Sequence, residues 1–179
     1  MSKQSWEELL LSPVIDATVI SNTVTETIMV PDTTIPANYF SAGRTLRVTL
    51  IGKMSNVVTT PGTLTLRARW GGVAGTVLVA SAALALNTAA QTNSTIKIEF
   101  LVTCRVEANP GTLLATGSAC LGLSASVQGR VDMIPASAPA AVGSLDLVSA
   151  VALSFTAQFS VNTNPTNLQI MEMKLESLN

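Results

Sequence analysis

Apolar and polar residues alternate with period two along most of this chain. Residues 44–54 (GRTLRVTLIGK) set Leu46, Val48 and Leu50 on one face and Arg47 and Thr49 on the other. Residues 63–70 (TLTLRARW) set Leu64, Leu66, Ala68 and Trp70 against Thr63, Thr65, Arg67 and Arg69, and Gly71-Gly72 then turns the chain. The clearest run is 94–107 (STIKIEFLVTCRVE). Ile96, Ile98, Phe100, Val102, Cys104 and Val106 face inward, and Lys97, Glu99, Thr103, Arg105 and Glu107 face outward. Strict alternation of this kind marks half-buried strands. Shorter or weaker strands are predicted at 23–30, 76–80, 82–87, 112–123 and 127–133. Residues 151–161 direct Leu153, Phe155, Ala157, Phe159 and Val161 inward. In the closing strand, 168–176, Met171, Met173 and Leu175 oppose Glu172, Lys174 and Glu176. Residues 135–143 (PASAPAAVG) read as a loop, and 162–167 as a turn cluster.

About nine or ten short strands joined by turns, with no long helical period, predict an all-β sandwich or barrel. The length and the near-ten-residue strands point to a jelly-roll β-sandwich with a short N-terminal arm. Residues 14–179 form the single domain and residues 1–13 the arm. In the arm, Ser5 and Glu8 have capping-box spacing, Trp6, Leu9 and Leu10 follow at helical spacing, and Pro13 stops the run. A helix this short is marginal alone, so its apolar face must dock, either on its own domain or on a neighbouring subunit. Trp6, Leu9 and Leu10 are the candidate partner-binding residues.

Composition narrows the function. Ala, Thr and Ser supply 61 of the 179 residues and Val another 18, while charged residues are only 12%. That is about half the usual charged share, so much of the surface is expected to be covered by sister subunits. The net charge of −1 gives no electrostatic case for nucleic acid or an anionic membrane. No histidine is present, which removes His-based acid–base catalysis, Ser–His–Asp triads and His metal ligands. No enzyme, metal site or cofactor is expected. The carboxylates are interleaved with Lys97, Arg105 and Lys174, the look of cross-strand charge pairing rather than a glycosidase pair. Arg44, Arg47, Arg67 and Arg69 form a possible basic strip, but it lacks stacking aromatics, and pairing with acids is the favoured reading.

No secretory signal or membrane span is expected. The uncharged stretch 70–96 contains too many Gly, Asn, Gln, Ser and Thr residues to cross a bilayer. The two cysteines flank a turn at Asn109-Pro110-Gly111. Pairing about that turn sets Cys104 opposite Ala115 or Thr116, and Cys120 opposite Glu99 or Phe100. The thiols then lie about four residues, roughly 13 Å, out of register, too far for a bridge. Both are read as free buried thiols suited to a reducing cytoplasm.

The run NTVTETIMVPDTTIPANYFSAGRTLRVTLIGKMS (22–55) resembles a family of tailed-bacteriophage virion proteins. In that family a Thr-Glu-Thr strand leads to an Ile-Pro-Ala-Asn turn, and a Gly opens a Leu-Arg strand. The later segments TLTLRARWGG, VLVASAALAL, STIKIEFLVTCRVEANPGTLLATG and ALSFTAQFSVNTNPTNLQIMEMKLES keep the same order, so the likeness spans about residues 20–176. The resemblance implies jelly-roll domains of phage heads, head fibres or tails, often homotrimeric, and brings no catalytic residues. The expected function is a capsid decoration (cement) protein that binds and stabilises the shell of major capsid protein. It would be made in the host cytoplasm and placed on the capsid surface of the virion. The alternative is a tail- or head-fibre module that binds the host surface. The absence of a shaft or repeat favours decoration. The arm lies outside the shared pattern.

Overall fold

The computed structural model describes residues 7–13, 16–57, 59–122 and 129–178. They form fourteen strands: β1 (Glu7–Leu11), β2 (Ile20–Ser21), β3 (Thr27–Ile28), β4 (Thr33–Ile35), β5 (Thr45–Asn56), β6 (Thr63–Trp70), β7 (Thr76–Ala80), β8 (Leu84–Ala85), β9 (Gln91–Val106), β10 (Gly111–Leu121), β11 (Arg130–Ile134), β12 (Ala141–Leu145), β13 (Val151–Phe159) and β14 (Asn167–Leu178). No helix occurs among the described residues.

The strands divide into two antiparallel sheets. The larger has the order β1-β14-β5-β9-β10-β11, with β2 beside β14 and β12 beside β10. The smaller has the order β3-β13-β6-β7, with β4 beside β13 and β8 beside β6. The chain crosses between sheets from β5 to β6 and again from β13 to β14. Because β5 lies beside β14 and β6 beside β13, these two crossing pairs run antiparallel through both sheets. This is the rolled-up course of a jelly-roll β-sandwich.

The inward residues close the core as the alternation requires. Leu46, Val48, Leu50, Ile96, Ile98, Phe100, Val102 and Cys104 from the larger sheet meet Leu64, Leu66, Ala68, Leu153, Phe155, Ala157 and Phe159 from the smaller. Phe100 stacks on Phe155 across the two sheets, with ring centroids 5.3 Å apart. At the β6–β7 turn, Gly71 and Gly72 hold φ of +98° and +84°, a region costly for a side chain with Cβ.

Several expectations are corrected. The arm is a strand over Glu7–Leu11, not a helix, and it pairs with β14 at the edge of the larger sheet. The free edge of β14 offers a hydrogen-bond ladder, which so short a helix cannot match. Arm and domain therefore share one sheet. Trp6 and Ser5 lie outside the described residues. The strand expected at 23–30 shrinks to Thr27–Ile28, and the one at 82–87 to Leu84–Ala85. The loop at 135–143 ends early, because Ala141–Leu145 pairs with the first half of β10. Val106 is half exposed beyond the core and Val161 is only partly buried. Met171 is exposed because it is the extra residue of a β-bulge: Ile170 pairs with Gly52 and Glu172 with Ile51. Before the bulge Leu168 and Ile170 face inward; after it Met173 and Leu175 do.

The hairpin of β9 and β10 pairs Cys104 with Leu113 and Cys120 with Lys97. Its innermost pair, Val106 with Thr112, centres the turn on Asn109 rather than on Pro110, and a bulge at Thr112–Leu113 shifts the register further. The two cysteines stand farther apart along this hairpin than the sequence alone suggested, and both are free thiols. Cys104 is buried, and burial first, then the charge of Glu107, pushes its thiol above the ordinary range.

Candidate interaction surface

Residues paired across neighbouring strands point to the same side of a sheet. The register therefore writes out the outer face of the larger sheet in rows. One row runs Val131, Cys120, Lys97, Ile51, Glu172. The next runs Met133, Ser118, Glu99, Thr49, Lys174. A third runs Thr116, Leu101, Arg47, Glu176, Leu9.

These rows split the face into two halves. On β1, β14 and β5 the charges satisfy one another. Arg47 Nη1 lies 2.6 Å from Glu7 Oε1 and 3.5 Å from Glu176 Oε2, and Lys174 Nζ lies 2.7 Å from Glu172 Oε1. Beyond Lys97 and Glu99 the charge stops. The outward positions Leu114, Thr116, Ser118 and Cys120 of β10, and Val131 and Met133 of β11, are all uncharged. Val131 and Met133 are 62% and 65% exposed. The charged residues of β11 sit on the opposite side. Arg130 and Asp132 pair with core-facing Leu121 and Ala119, and their Nε–Oδ2 contact is 2.7 Å. Inward charge on an edge strand discourages another strand from adding there. The apolar residues thus serve the face of the sheet rather than its edge.

The smaller sheet is closed off differently. The chain before β3 crosses its outer side and brings Glu26 over β6 and β13. Arg69 grips that carboxylate through Nε at 2.6 Å and Nη2 at 2.8 Å, Arg67 Nη1 lies 3.1 Å away, and the Thr156 hydroxyl donates to it. Arg67 also donates to Gln158 Oε1, and Gln158 Nε2 donates to the Val24 carbonyl. Ser154 and Thr156 are consequently buried although they face outward.

The hydrogen bonds from Arg69, followed by those from Thr156 and the charge of Arg67, hold Glu26 below the usual carboxylate range against its desolvation. A lowered folded pKa stabilises the fold above the unfolded value near ~4.3, and that contribution is lost as pH falls through the folded value. Glu26→Gln is expected to cost about 2 kcal/mol at pH 7. It should also flatten the fall of melting temperature below pH 5. Thermal melts between pH 7 and pH 3 check both; identical pH profiles for variant and native protein would contradict the assignment.

The four arginines do not form one strip. Arg47 lies on β5 of the larger sheet with Arg44 just before that strand, whereas Arg67 and Arg69 lie on β6 of the smaller. Arg47, Arg67 and Arg69 pair with acids as expected, whereas Arg44 lies over the Tyr39 ring, 4.8 Å from its centroid, and donates to the Tyr39 carbonyl. Of the arm residues, Leu9 is 58% exposed at the border of the larger sheet's outer face, and Leu10 packs partly against the core. The sequence reading missed Val131 and Met133. Their signal lies in the segment RVDMI, where the apolar residues alternate with an opposed charge pair and the charges turn inward.

Among the described residues no group of three His, Cys, Asp or Glu side chains is placed to hold a metal ion. No family model matches the chain, and no curated protein matches it. Among solved structures, the chain is similar to lectin I from Ulex europaeus in complex with the methyl glycoside of α-L-fucose. The TM-score is 0.39 and the identity 12%, over 98% of this chain and 92% of that one. At that TM-score and identity, nothing about ligand or partner transfers to the present chain.

Proposed function

We propose that this chain is a structural virion protein of a tailed bacteriophage, a capsid decoration protein that assembles as a homotrimer and binds the major capsid protein. The observation that carries the assembly part is the uncharged half of the larger sheet's outer face, with Val131 and Met133 standing open on it. Interface cores are depleted in charge, and Met is enriched there. The bacteriophage part rests on the resemblance of residues 22–55 and the ordered segments after them. Leu9, on the same outer face at the opposite border, gives the arm a contact residue that its own domain does not cover.

Electron microscopy of intact particles of the phage that encodes the chain tests the reading. Density for this sandwich on the outside of the capsid shell is the expected result. Density confined to a fibre or tail tip would favour the host-binding alternative, and absence from the particle would refute both.

Two substitutions test the surface. Met133→Glu and Leu9→Glu each place a charge on an exposed position, so the isolated fold should change by no more than about 0.5 kcal/mol. Burying that charge in an interface should weaken assembly tenfold or more, about 1.4 kcal/mol or above. Melting curves paired with sedimentation equilibrium separate the two effects. Unaltered association in both variants would remove these residues from the interface.

A further inference from the structure

Three buried polar side chains line up at one end of the larger sheet. Asn56 ends β5, and its cross-strand partner is Gln91, which opens β9. Asn167 pairs with Ser55, so Thr166, one residue earlier, comes alongside Asn56 from the other flank. Their exposures are 0%, 4% and 1%. The Nδ2 of Asn56 is fully engaged, donating to the carbonyls of Asn87 at 2.7 Å, Val57 at 3.0 Å and Ala89 at 3.3 Å. Among the described residues its Oδ1 has no hydrogen-bonding partner, and neither do Oε1 and Nε2 of Gln91 nor Oγ1 of Thr166.

Four orphaned polar atoms in one short row are a costly way to end a sheet unless something satisfies them together. We propose that this row is a binding site for ordered internal water. The chemistry selects water over other small guests. Asn56 Oδ1 and Gln91 Oε1 only accept, Gln91 Nε2 only donates, and the Thr166 hydroxyl does either. A cation satisfies the oxygens and confronts the amide N–H. An anion does the reverse, and an apolar guest satisfies none. Water donates two hydrogen bonds and accepts two, which matches the mixed set without bringing a charge into an uncharged, buried place. Bound there, it ties the segment carrying Asn87 and Ala89, through Asn56 and Gln91, to the turn that precedes β14.

High-resolution crystallography of the native protein tests this directly. Water density about 2.7–3.2 Å from both a Gln91 side-chain atom and Asn56 Oδ1 is the expected result. In solution, a long-lived water should give an Overhauser cross-peak to the Gln91 side-chain amide. Gln91→Met, which keeps the length but removes both polar atoms, should cost the site its water, seen as lost density beside Asn56 Oδ1. Gln91 Nε2 found donating straight to Asn56 Oδ1, with no water in the row, would overturn the proposal. So would unchanged density in Gln91→Met. The native crystal structure decides the matter even if that variant fails to fold.

Discussion

Phe155→Ala is expected to destabilise the protein by about 3–5 kcal/mol, a large share of the ~5–15 kcal/mol that holds a domain of this kind together. Phe155 lies at the middle of β13 with 1% exposure, and its ring stacks on Phe100 of β9 at an interplanar angle of 26°. The pair joins the two sheets. Removing one ring loses its transfer energy and leaves a cavity walled by strands that are themselves hydrogen-bonded on both sides and have little freedom to close in. Phe155→Leu should lose less, because most of the volume is kept. Equilibrium unfolding in urea measures both. A loss under about 1 kcal/mol for Phe155→Ala would mean that the sheets do not pack through this pair.

Gly52→Val is expected to be comparably damaging, about 3 kcal/mol or more, for the opposite reason of too much matter rather than too little. Gly52 stands on β5 opposite the β14 bulge, paired with Ile170. A Cβ there would sit 2.1 Å from the Gln169 carbonyl oxygen and 2.9 Å from the Ile170 Cα. Both are backbone atoms of the neighbouring strand, so no rotamer change relieves the contact. The bulge would have to open, and with it the register that turns Met171 outward and Met173 inward. Thermal melting and amide hydrogen exchange along β14 measure the loss. Native-like stability in Gly52→Val would show that β5 and β14 do not approach this closely.

How much of this was legible in the sequence follows from which residues feel only one neighbour. The positions of β5, β6, β9 and β13 were readable because apolar and polar residues alternate along each over eight or more residues, and a single slip would turn every apolar side chain away from the core. Leu46, Leu66, Phe100 and Phe155 are inside for that reason. The bulge at Met171 was not readable, since it depends on Gly52, far away in sequence, making room on the partner strand. The arm carried a helix pattern of its own, and the open edge of β14 overrode it. Cysteine register failed by two to three positions because a turn residue pattern locates a hairpin but not its centre.

The proposed interaction face was harder still. Low overall charge led to the expectation of covered surface but did not say where it would lie. Only the register shows that the uncharged positions of β10 and β11 fall on one side, while Arg130 and Asp132 turn to the other. Glu26 likewise looked like one polar residue of an alternating strand. Its meeting with Arg67 and Arg69 depends on a chain crossing over the smaller sheet, which local pattern does not encode.

The central claim is that the open outer face of the larger sheet is covered by other copies in the working assembly. Native mass spectrometry of the purified 179-residue chain at micromolar concentration tests it most directly, run beside Met133→Glu. The account predicts a native species three times the 18.6 kDa of the chain, lost or sharply reduced in the variant. A native protein that stays at 18.6 kDa, or a trimer that Met133→Glu leaves untouched, would contradict it.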